Sequence, residues 1–182
     1  MITRTFRISP EYDKLLNEEA NHHGLTVSAI LNQIIRLHVM FTRFTEKDPT
    51  ISFSYKTFEP LLNIMPEKEL IEVGNRSGSI LAEEAILQHG KQLDFDSVNW
   101  VIDTIYGNYM NWFNSHESII NGNERIHLTH SFNHKWSQYL GAYMQGMFES
   151  ILNSQPKIET RANSVTLYLN LPPNLKLKRI IK

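Results

Sequence analysis

The strongest constraint on this chain lies at its N-terminus. Residues 1–44 offer one short strand and two short helices, too little to close a core. Thr3, Thr5 and Arg7 alternate with Arg4, Phe6 and Ile8, the period of two that marks a strand. Phe6 and Ile8 would face a core, and the other set would face outward. Ser9-Pro10 stops the strand and opens a helix, since serine caps well and proline suits the first helical position. Tyr12, Leu15, Leu16 and Ala20 form the apolar stripe of that helix, and Gly24 ends it. Thr26 caps a second helix, in which Val27, Ile30, Leu31, Ile34, Leu37 and Phe41 recur at helical spacing. A lone strand leaves its N–H and C=O groups without partners, and chains below about 40 residues rarely fold unaided. The simplest remedy is a dimer, with two strands paired antiparallel and the helix pairs interlocked beneath them.

The strand, the Ser9-Pro10 start, the Gly24-Leu25-Thr26 turn with Ser28 and the apolar second helix resemble, in order and spacing, the ribbon-helix-helix family of the Arc and methionine-repressor type. The resemblance covers about a quarter of the chain. It implies that paired strands enter the DNA major groove, with Thr3, Thr5 and Arg7 touching base edges. A two-stranded ribbon fits that groove, and arginine can donate a bidentate pair to guanine. Thr26, Val27 and Ser28 would hold a backbone phosphate at the second helix's N-terminus, with Arg4 nearby. Residues 1–10 contain no acid, so this face is locally basic.

Composition narrows the alternatives. Lys+Arg total 18 against Asp+Glu 19, a net charge of −1, so a polybasic coat for nucleic acid is not expected. There is no cysteine, which removes disulfide scaffolds, Cys-ligated metal sites and thiol catalysis and fits a reducing cytoplasm. No apolar run approaches the roughly 20 residues of a membrane span, and the N-terminus has no apolar signal core. The expected protein is cytoplasmic, without a membrane partner.

Residues 45–49 read as a linker, because four polar residues and Pro49 break the helical pattern. Residues 50–182 read as a second, mixed α+β domain with antiparallel strands and the order β-α-α-β-α-β-β. Residues 50–57 alternate like a strand, 67–88 and a segment capped by Asp96 read as helices, and 114–123 reads as a polar loop. A strand over 125–131, a long helix over 133–152 and a hairpin turning at Ala162-Asn163 complete the pattern. Gly74 and Gly78, one turn apart, permit close approach of another backbone.

Three features of this domain invite functional readings. His127, His130 and His134 could ligate a divalent metal, but on a strand His127 and His130 point to opposite faces, so no metal or cofactor is expected. Trp100, Tyr109, Trp136 and Tyr143 could line a pocket for a small-molecule effector, although a helix-against-helix core explains the same rings. The tail 171–182 has four basic residues and no acid. No phosphate-loop, dinucleotide or hydrolase signature occurs, so an enzyme is not expected. The expectation is therefore a transcriptional regulator of the repressor kind, binding double-stranded DNA as a homodimer or dimer of dimers. The alternative is an antitoxin-like interaction protein whose C-terminal region binds a partner protein.

Overall fold

A computed structural model of the chain describes residues 4–45, 51–120 and 123–169. The chain divides into two units, Met1–Thr50 and Ile51–Lys182. The expected linker falls almost wholly outside the described residues, as does the basic tail.

The first unit is helical. Residues 4–9 carry no regular secondary structure. Helix α1 (Pro10–His23) is capped by Ser9, whose hydroxyl accepts the Tyr12 N–H at 3.4 Å. It ends at Gly24 with φ 63°, a left-handed position where a side chain would be strained. Leu25 N–H then returns to the Ala20 carbonyl at 2.8 Å. Helix α2 (Val27–Leu37) is capped by the Thr26 hydroxyl and continues through a π-helical turn, His38–Thr42, into α3 (Arg43–Thr45).

The expected fold class is corrected here. The ribbon-helix-helix assignment placed an alternating strand at residues 3–8, with Phe6 and Ile8 inward. Thr3 lies outside the described residues, the rest form no strand, and Phe6 and Ile8 are 55% and 39% exposed. Alternation gives a segment two faces, but a strand also needs a neighbour for its backbone groups, and among the described residues of this chain none pairs with 4–8. Among the described residues strands occur only from Asn114 onward, after six α-helices and two π-helical runs.

The second unit opens with α4 (Tyr55–Ile64), where a strand was expected over 50–57. Packing decided against the alternation. Phe58 sits edge-on to Trp136 at 5.7 Å, and Tyr55 edge-on to Phe132 at 4.7 Å, which a helix allows together. Helix α5 (Glu67–Gln88) follows, then α6 (Phe95–Trp100), capped by Asp94 rather than by the expected Asp96. A π-helical run, Val101–Tyr109, extends α6. The expected loop at 114–123 is mostly strand β1 (Asn114–Ile120), an edge strand exposed along much of its length. It pairs antiparallel with β2 (Asn123–Thr129). Helix α7 (His134–Leu152) and the hairpin β3 (Lys157–Arg161) and β4 (Ser164–Leu169) complete an antiparallel sheet of order β1-β2-β4-β3.

Helix α7 is the centre of this unit. Ile126, Leu128, Val165, Leu167 and Leu169 are buried on the sheet, as are Leu140, Met144, Met147 and Phe148 on α7. Gly141 of α7 lies so close to β3 that an added Cβ would meet Thr160 at 2.9 Å. Gly146 of α7 abuts the Asn75 backbone, and Gly74 and Gly78 of α5 abut the carbonyls of Tyr139 and Tyr143. The two helices therefore touch backbone to backbone, which only residues without a Cβ permit.

Candidate protein-docking groove

Helices α1 and α2 leave an apolar groove of about 820 Å³ between them. Leu15, Leu16, Leu25, Ile30, Ile34 and Leu37 line most of it. One rim carries Glu19 and His23, paired at 3.1 Å one helical turn apart. The sequence sets this up directly. A helix pair buries a stripe of roughly 100°, whereas α2 spreads Ile30, Leu31, Ile34, Ile35 and Leu37 over a wider arc. Only Ala20 and Ile30 of this unit are buried among the described residues. Phe6, Ile8, Tyr12, Leu15, Leu25, Ile34, Ile35, Leu37 and Val39 all remain exposed.

The candidate DNA-contact residues do not form a reading surface. Arg4, Thr5 and Arg7 lie exposed on the irregular segment 4–9. The Thr26 hydroxyl is occupied by the Ala29 N–H at 3.2 Å, while Val27 is half-buried and Ser28 exposed in the first turn of α2.

The three histidines part company. His127 is on the outer face of the sheet, with Nδ1 2.9 Å from the Thr166 hydroxyl. Partial burial, then Arg125, His116 and Arg161, hold its pKa below the usual imidazole value. His130 is buried; it accepts the Phe132 N–H at Nδ1 (3.2 Å), so Nε2–H donates to the Ser137 hydroxyl (2.8 Å). Burial lowers its pKa too. His134 is exposed and reaches the Arg161 carbonyl. Among the described residues no group of three His, Cys, Asp or Glu is placed to hold a metal ion.

Both lowered imidazoles favour the neutral form in the folded state. Below pH 6.5 the unfolded chain then binds more protons than the folded one. Stability is therefore expected to be full above about pH 6.5 and to fall as the pH drops through the lowered folded values. Urea unfolding at pH 7.5 and 5.5 measures this, and His130→Gln should flatten the difference.

Of the four candidate pocket residues, Trp136 and Tyr143 share one ring cluster. Trp112 stacks on Tyr106 at 4.9 Å and stands edge-on to Trp136 and Tyr143, each at 5.4 Å. The Tyr106 and Tyr143 hydroxyls meet at 2.6 Å, and burial pushes both phenols above their ordinary value. Trp100 stands elsewhere, edge-on to His89 and beneath the Lys91 ammonium, and Tyr109 is half-buried at the end of the π-helical run. The rings fill the space between helices. The apolar groove lies instead between α1 and α2, where the sequence pointed to a DNA-reading module.

No family model matches the chain, and no curated protein matches it. Among solved structures, it is similar to a trafficking protein particle complex subunit 3 from Naegleria fowleri, covalently bound to palmitic acid. The identity is 12%, the TM-score 0.42, and the match covers 78% of this chain and 96% of that one. A likeness this distant assigns no function. The expected DNA-binding regulator and repressor, with its double-stranded DNA partner, is corrected by the fold: residues 4–9 form no strand, so the described residues offer no ribbon to enter a groove. Among the described residues no single helix is long and apolar enough to cross a membrane. Pro10–His23 and Val27–Thr45 reach that length only together, across a 100° bend.

Proposed function

We propose that this chain is a non-catalytic protein-interaction subunit that seats part of another protein in the α1–α2 groove. One observation carries the reading: among the described residues of the first unit two apolar residues are buried and nine large ones are exposed, five of these, Tyr12, Leu15, Leu25, Ile34 and Leu37, lining the groove. Each such side chain gains about 1.5–3 kcal/mol on full burial, and contiguous exposed patches of this kind mark interaction sites. Glu19 and His23 supply the polar rim such interfaces have. A cytoplasmic setting suits a chain without cysteine.

The test is photo-crosslinking in the expressing cell. A benzophenone amino acid replaces Leu15 or Gln92, the latter an exposed position in the second unit. Protein-sized adducts are expected at Leu15 and not at Gln92, and Ile34→Asp should abolish them. Equal adducts at both positions, or none at Leu15, would overturn the proposal.

A further inference from the structure

Helix α5 carries a second uncovered seam, separate from the groove. Leu70, Gly74, Gly78, Ala82 and Ile86 are its buried positions, recurring every four residues, and Gly74 and Gly78 touch α7. Val73, Ile80 and Leu87 recur every seven residues on the opposite side, and are 46%, 46% and 52% exposed. Two helical turns separate each from the next, so the three make a straight row about 21 Å long. A packing seam repeats an apolar residue at two positions of each heptad; the row fills one of them, and polar Arg76, Ser77, Glu83 and Glu84 stand at the other. Ile71 and Leu81 of the same helix are exposed too, at 43% and 48%, but stand off this line.

The charges around the row select its occupant. Glu69, Glu72, Glu83 and Glu84 lie within a turn of it, against one cation, Arg76. A second copy of α5 would bring these carboxylates against their own kind, and an anionic membrane surface would be repelled. A helix with an apolar seam and Lys or Arg beside it would satisfy both the row and its rim. We propose that the outer face of α5 docks a basic amphipathic helix of a partner protein. Three aliphatic anchors make a small interface, of the size found in transient complexes.

The experiment uses the full chain and a fluorescein-labelled three-heptad peptide with Leu at positions a and d and Lys at e and g. Its controls carry Glu at e and g, or the Lys composition in scrambled order. Anisotropy should show saturable binding of the ordered Lys peptide, at least about tenfold tighter than of either control. Ile80→Asp should weaken it about tenfold or more, and Leu87→Gln, near the helix end, should weaken it in the same direction. Glu83→Lys combined with Glu84→Lys should shift the preference towards the Glu peptide. Ile34→Asp should leave this binding unchanged, which separates the seam from the groove. Binding equal to the scrambled peptide, indifference to both α5 variants, or loss through Ile34→Asp would each overturn the proposal.

Discussion

Gly78→Ala is expected to unfold the second unit. The added Cβ would lie 1.9 Å from the Tyr143 carbonyl oxygen and 2.7 Å from its carbon, both backbone atoms that no rotamer can move aside. Relief requires α5 and α7 to separate, which would loosen the buried residues on both. The cost should exceed the about 1–3 kcal/mol typical of overpacking a core. Gly146→Ala should act alike, since its Cβ would meet the Asn75 oxygen at 2.0 Å. Gly90→Ala is the control. Nothing lies within 4 Å of it, and its φ of 66° alone sets the penalty, about 1–2 kcal/mol. The three tryptophans, Trp100, Trp112 and Trp136, all lie in this unit, so urea unfolding followed by their fluorescence reports it directly. A Gly78→Ala midpoint no lower than that of Gly90→Ala would show that the helices can part at little cost.

Trp136→Ala should cost about 3–5 kcal/mol, the range for deleting a large buried ring. Its indole is where the surrounding rings converge: Phe58 and Trp112 edge-on, Phe132 tilted at 5.1 Å and Tyr139 stacked at 5.0 Å. Its N–H also donates to the Trp112 carbonyl at 3.4 Å. Removing it empties the junction of α4, α7 and the segment before β1. Trp100→Ala should cost much less, because that ring is half-buried against His89 and Lys91. The difference between the two unfolding free energies measures the claim. Equal losses would mean the cluster reorganises around the gap.

Local rules written in short stretches were legible. Ser9, Pro10, Gly24 and Thr26 bound α1 and mark the start of α2 because caps and left-handed turns depend on a few adjacent atoms. The span of α5, that of α7 to within one residue at its start, and the Ala162-Asn163 hairpin turn read correctly for the same reason. Gly74 and Gly78 disclosed a backbone contact without naming α7 as its partner. Features settled by distant partners were not legible. β1 is polar on both faces as far as Ser118 and pairs along its whole length with β2, which supplies its hydrogen bonds. Residues 50–57 alternate like a strand, yet α4 starts at Tyr55, where Phe58 can reach Trp136. Residues 4–8 alternate as well, and none of the described residues pairs with them as a strand. The groove residues were visible as stripes, but a stripe does not say whether it is covered. The α5 row escaped notice because the buried residues and glycines of that helix dominate its pattern.

The contact between α5 and α7 also gives this lineage a signature it would otherwise lack. Hydrophobic positions can drift among leucine, isoleucine and methionine while a core stays full, so ancestry written in them fades. A site where two main chains touch tolerates almost no drift. Distant kin should therefore be easier to find by glycine or alanine at the counterparts of Gly74, Gly78 and Gly146 than by overall identity.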